Sequence, residues 1–183
     1  MKTIYVFIGF MVIALIQIFV PSQMIWQQED VLASGEAYKF KTRPIDPSDP
    51  FRGKYITLDY DMNSFAIADS SFVYGDKILI YIEKDSTGFA KAIQVSKKPL
   101  ANDRDYIVAK VTDNYKEVVN FELPFDRFYM EESKAKDAER AYIHKNTDSL
   151  KENVYALVHV KDGRSVLKDV IIDGISIQDY VEK

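Results

Sequence analysis

Four charged side chains recur at three-residue spacing in the run RPIDPSDPFR: Arg43, Asp46, Asp49 and Arg52. The first three each precede a proline (Pro44, Pro47, Pro50), and a pre-proline residue is pushed out of the helical region toward extended or polyproline-II geometry. Polyproline II has three residues per turn and about 3.1 Å rise, so the four side chains share one edge, spaced roughly 9 Å apart. Two carboxylates about 6.5–9.5 Å apart suit the acid and base of an inverting glycosidase, which puts Asp46 and Asp49 forward as a catalytic pair on an envelope polymer. Against this, a carboxylic acid working near neutral pH needs a raised pKa, and flanking arginines lower it. Asp before Pro is also a common turn initiator, and an aspartate beside an arginine is ordinarily a structural ion pair. The preferred reading is a charged edge that contacts a partner, with the hydrolase as the alternative and an enzyme the less expected outcome.

Other chemistry is weaker. Ser48 and Lys54 lack the apolar residue and proline that usually follow the serine of a serine–lysine peptidase, and one sequence cannot supply the strained turn that activates it. The chain has no cysteine and two histidines, His144 and His159, so a zinc site would need both plus carboxylates from distant segments; no metal or cofactor is expected. In DRFYMEES, Asp126, Arg127, Glu131 and Glu132 surround Phe128 and Tyr129. The acids complement the dipole of a helix beginning near Ser133. A functional version would bring this cluster against Arg43 or Arg52 in one polar groove. The candidate binding set is therefore Arg43, Asp46, Asp49, Arg52, Tyr55, Arg127 and Glu131, with no catalytic residue assigned.

Short alternating runs must position these groups. AYKFKTR sets Tyr38 and Phe40 opposite Lys39 and Lys41, and YITLDYD sets Ile56, Leu58 and Tyr60 opposite Tyr55, Thr57 and Asp59, the period-2 pattern of half-buried strands. Gly53 ahead of the second run permits a positive φ. KILIYIEK is apolar on both faces, as in a strand covered on both sides. GFAKAIQV, DYIVAKV, VVNFEL, VYALVHV and SVLKDVIID add further strands. MEESKAKDAERAYIHK instead places Ala135, Ala138, Ala141 and Tyr142 at helical spacing, with Glu132 four residues before Lys136, and predicts one short surface helix. The fold class expected is mainly β: a single antiparallel meander, small barrel or sandwich with one helix.

Ahead of this domain lies an apolar run from Ile4 to Val20, broken only by Gln17. Its 17 residues are near the lower limit for a membrane-spanning helix. No small-residue cleavage pair follows it closely, which favours an uncleaved anchor over a signal peptide. Trp26 suits the membrane interface, and polar residues then continue the helix to Gly35, a C-cap residue type. Lys2 before the run and Glu29 and Asp30 after it orient the N-terminus toward the cytoplasm. The expected division is 1–35 as anchor and juxtamembrane helix and 36–183 as an extracytoplasmic domain on the bacterial inner membrane. The lipid bilayer is then a partner through residues 4–20, with a membrane or envelope protein as the second. A net charge of −4 argues against nucleic acid.

The segment GKYITLDY, residues 53–60, resembles the motif of a family of small bacterial membrane-anchored proteins named for G-D-Y-x-x-L-x-Y. Gly53, Tyr55, Leu58 and Tyr60 match, and the run from Arg43 to Arg52 resembles the family's lead-in. Lys54 stands where the family has aspartate, so no role of that carboxylate carries over. The resemblance extends in outline to DRFYMEES and to a late strand pair ending at Asp173-Gly174. It implies an extracytoplasmic domain on one membrane span and no established enzymatic activity.

Overall fold

A computed structural model describes residues 2–43, 55–67, 71–147 and 154–182. The first half of the chain forms α1 (Lys2–Ser34), β1 (Glu36–Arg43), β2 (Tyr55–Thr57), β3 (Asp59–Tyr60), β4 (Ser64–Ala66), β5 (Lys77–Lys84) and β6 (Ala90–Ser96). The second half forms β7 (Tyr106–Tyr115), β8 (Val118–Glu122), β9 (Arg127–Tyr129), α2 (Glu132–Thr147), β10 (Val154–Lys161), β11 (Arg164–Ile172), β12 (Ile175–Ser176) and α3 (Ile177–Tyr180).

The apolar part of α1 touches nothing in the domain, and the helix is long and apolar enough to cross a membrane. Pro21 lies inside it. Only the last turns dock. Val31 is buried, and Lys161 at the end of β10 donates to Asp30 and to the Ser34 hydroxyl, both at 2.7 Å. Gly35, expected as a C-cap, is required for a different reason. Its N–H donates to the Val31 carbonyl at 2.9 Å, and a Cβ there would meet that oxygen at 2.5 Å and the Val160 carbonyl oxygen at 3.0 Å. Close approach of helix end to sheet, rather than a left-handed backbone, excludes a side chain.

Two five-stranded antiparallel sheets enclose the core, in the orders β12-β11-β10-β1-β3 and β4-β8-β7-β5-β6. Parallel bridges Lys39↔Phe89 and Ile107↔Gly163 stitch them at two seams, so the arrangement is nearly a barrel. The alternation read from sequence holds. On β1, Tyr38, Phe40 and Thr42 point inward, and β10 alternates without a break. Ile78, Ile80 and Ile82 of β5 are buried, and Tyr81 on the opposite face is covered too, with its hydroxyl accepting from the Leu100 N–H at 2.7 Å. A loop, not a second layer, covers that face. Ala135, Ala138 and Tyr142 of α2 are buried, since alanines let the helix lie close to the core and Tyr142 fills the gap.

YITLDY departs from the single strand expected of it. It breaks at Leu58, β2 pairing with β9 and β3 with β1. The Leu58 N–H donates to the Asp126 carbonyl at 2.7 Å, so the chain changes partner without losing a hydrogen bond. Because no residue is inserted, the period-2 pattern survives the corner and Ile56, Leu58 and Tyr60 all remain buried.

Candidate binding site

Of the charged edge, Arg43 alone is described; Asp46, Asp49 and Arg52, with Ser48, Gly53 and Lys54, lie outside the described residues. Arg43 ends β1 opposite Asp59, and its Nε donates to Asp59 Oδ2 at 2.5 Å. Both side chains are about two-fifths exposed, so the pair is a surface bridge whose worth lies in fixing geometry. Asp59 was not singled out in the sequence. The signal that would have found it is opposite charge on two strands joined by a connection short enough to pair them.

Beside this bridge runs a groove of about 400 Å³ lined by Arg43, Asp59, Asn63, Asn120, Glu122 and Asp126, among others. Of DRFYMEES, Asp126 lines this groove together with Arg43. Arg127 and Glu131 go elsewhere. The groove is rich in acceptors: three carboxylates face one guanidinium. Among the described residues, no three of His, Asp and Glu stand close enough together to hold a metal ion.

Arg127 turns to the outer face of the β2–β9 ribbon. Successive side chains of a strand point to opposite faces, so Ile56 and its partner Phe128 enter the core while Tyr55 and its partner Tyr129 stand outside. The two tyrosine rings lie 5.4 Å apart, and the Arg127 guanidinium carbon sits 5.1 Å from the centre of the Tyr55 ring. A hydrogen bond with Tyr129, with the nearby Asp126 carboxylate adding to it, raises the Arg127 pKa. Tyr129 remains 63% exposed. The result is an aromatic–guanidinium–aromatic patch built on the GKYITLDY strand, and Tyr129 was not foreseen as part of it.

Glu131 acts as a helix residue. Its carbonyl accepts from the N–H groups of Lys134 and Ala135, both at 3.0 Å, and its carboxylate lies 4.0 Å from the Lys134 ammonium, which also pairs with Glu182. Leu58 and Tyr60 are core. The Tyr60 hydroxyl donates to the Phe125 carbonyl, and burial pushes its pKa well above the ordinary tyrosine value. The side chain of His144 lies outside the described residues. His159 sits on β10 with its Nδ1 buried and without a hydrogen-bond partner among the described residues.

A family model described as GDYXXLXY protein matches residues 17–170. No curated protein and no solved structure matches the chain.

Proposed function

The chain belongs to the GDYXXLXY family, and from that premise we propose that it is a single-pass, membrane-anchored binding module of the bacterial envelope whose β-domain engages a membrane or envelope protein. Residues 4–20 supply the anchor. Lys2 before the apolar run and Glu29 and Asp30 after it support an N-terminus in the cytoplasm and an extracytoplasmic domain.

The observation that carries the reading is the outer face of the β2–β9 ribbon, where Tyr55, Arg127 and an exposed Tyr129 stack beside the groove of Arg43 and Asp59. Tyrosine and arginine are the side chains that dominate protein–protein contacts, because they offer large rigid apolar area with a polar tip. The charged edge carrying Asp46, Asp49 and Arg52 follows Arg43 directly in sequence and belongs to the same proposed contact. Among the described residues of the domain, the carboxylates whose pKa moves, Asp76 and Asp85, move down, as hydrogen bonds to Lys97 and Thr87 dictate. That is the wrong direction for a general acid.

A photo-crosslinking phenylalanine analogue at position 129, in cells, tests the proposal. A discrete membrane-protein or envelope-protein adduct is expected, reduced by Arg127→Glu. The same adducts from position 115, an exposed tyrosine on the hairpin between β7 and β8, would remove the case for a specific face.

A further inference from the structure

Where α1 meets the domain, a second groove of about 790 Å³ runs between Met24, Gln27 and Gln28 of the helix and the outer face of β5 and β7, with Arg164 on its wall. Its basic residues are placed unusually. Lys77 and Lys110 are direct cross-strand partners and therefore project from the same face. Like charges directly opposite destabilise a sheet. Glu122 stands on the other side of Lys110 in register, yet the Lys110 ammonium lies over the Tyr74 ring, 5.8 Å from its centre. Lys77, Lys110 and Arg164 are exposed, and none of them forms a salt bridge among the described residues. The Tyr74 ring beside Lys110 is 77% exposed.

The depth of this groove follows from the helix. At about 1.5 Å per residue, Met24 to Gln28 lie roughly 6–12 Å beyond Val20. The polar layer of a bilayer leaflet is about 5–8 Å thick, so these residues fall within it and just past it. Trp26, 77% exposed, marks the same level. On the anchor reading, the groove that the three cations line with Met24, Gln27 and Gln28 opens at the headgroup level of the leaflet from which α1 emerges.

We propose that this groove binds the phosphate of an anionic phospholipid headgroup, with Lys77, Lys110 and Arg164 as the cationic contacts and the Tyr74 ring, beside Lys110, flanking the headgroup. A bound phosphate relieves the opposition of Lys77 and Lys110. Glu122 and Asp126, which also line the groove, exclude the anion from the end that continues toward Arg43. The inference rests on the anchor reading above.

The test uses the full chain in nanodiscs of mixed phosphatidylglycerol and phosphatidylcholine, with retained lipid counted by native mass spectrometry. Phosphatidylglycerol is expected to be retained over phosphatidylcholine by roughly thirtyfold to a hundredfold, given two or three basic residues at the surface. The double variant Lys77→Gln, Lys110→Gln is expected to lose most of that preference while melting no lower than the parent, since a like-charge pair has been removed. Equal retention of both lipids, or an undiminished preference in the double variant, would overturn the proposal. Displacement of the lipid by millimolar inorganic phosphate would overturn it in favour of a soluble anion. Flotation with pure phosphatidylcholine vesicles at high salt reports the anchor alone: failure there brings down both readings, whereas flotation without lipid preference brings down only this one.

Discussion

Tyr60 and Phe125 are joined twice. The Tyr60 hydroxyl donates to the Phe125 carbonyl at 2.8 Å, and the two rings meet edge to face with centres 5.2 Å apart. Phe40 completes the cluster, 5.0 Å from Phe125. The last tyrosine of the GKYITLDY segment thus ties β3 to the connection that leads into β9, and so fixes where Asp126 and Arg127 emerge. Tyr60→Phe keeps the ring but leaves a buried carbonyl without its donor, and is expected to cost about 1–3 kcal/mol. Denaturant unfolding followed by circular dichroism measures it; an unchanged midpoint would show that another donor reaches the Phe125 carbonyl.

Leu58 and Tyr55 lie in the same segment on opposite faces. Leu58→Ala opens a cavity in the core and is expected to destabilise by about 2–5 kcal/mol. Tyr55→Ala removes a half-exposed ring and should cost clearly less, while weakening the contact that position 129 reports. Equal losses at the two positions would contradict the outward placement of Tyr55.

The difference between those faces was legible because burial has a period of two, and Tyr38, Phe40, Ile56, Leu58 and Tyr60 could be assigned inward from spacing alone. The Ala135, Ala138, Tyr142 stripe was legible from helical spacing, and the run from Ile4 to Val20 from its unbroken apolarity. Periodicity states which way a side chain points but not what it meets. The pairing of β1 with β10 spans more than a hundred residues, the chain switches sheets at Leu58 with no glycine or proline to mark it, and Arg43 finds Asp59 through strand register. Arg127 and Asp126 are adjacent in sequence and stay 3.8 Å apart, yet only Asp126 lines the groove with Arg43 while Arg127 lies against the Tyr55 ring, a division that spacing alone does not give.

Gly35 joins the helix to the domain, and any side chain there collides with backbone on both sides. Backbone cannot rotate away as a side chain can, so Gly35→Ala is expected to separate α1 from β10 and cost about 1–3 kcal/mol. The readout specific to docking is zero-length carbodiimide crosslinking of Asp30 to Lys161, which lie 2.7 Å apart. Undiminished crosslinking in the variant would mean that the junction adapts without undocking.

Asp85 organises the turn between β5 and β6: one carboxylate oxygen accepts from the Thr87 N–H, the Thr87 hydroxyl and the Phe89 N–H at 2.7–2.9 Å. These bonds favour the ionised form and lower its pKa in the folded protein. For a group with a depressed folded pKa, the stabilisation is complete above the unfolded value near 3.8 and is lost as pH falls from there through the lower folded value. Melting temperatures measured from about pH 6 down to about pH 2 should therefore fall less steeply below about pH 4 for Asp85→Asn than for the parent. Parallel curves would show that the turn is indifferent to this charge.

Topology decides whether the exposed patch and the groove beside α1 face the compartments proposed for them. The chain has no cysteine, so a single introduced thiol is a unique reporter. Ser86, exposed in the β5–β6 turn, serves better than Ser34, whose hydroxyl contacts Asp30 and Lys161. Ser86→Cys is expected to react with an impermeant maleimide in intact cells, or after permeabilising an outer membrane where one is present. The expectation rests on the charge asymmetry about residues 4–20, with Lys2 before the apolar run. Labelling seen only after lysis of the inner membrane would reverse the orientation. Sequencing the N-terminus of the mature protein completes the test: an intact Lys2-Thr3-Ile4 keeps the anchor, whereas a start beyond Val20 would make the same helix a cleaved signal and release the domain from the bilayer.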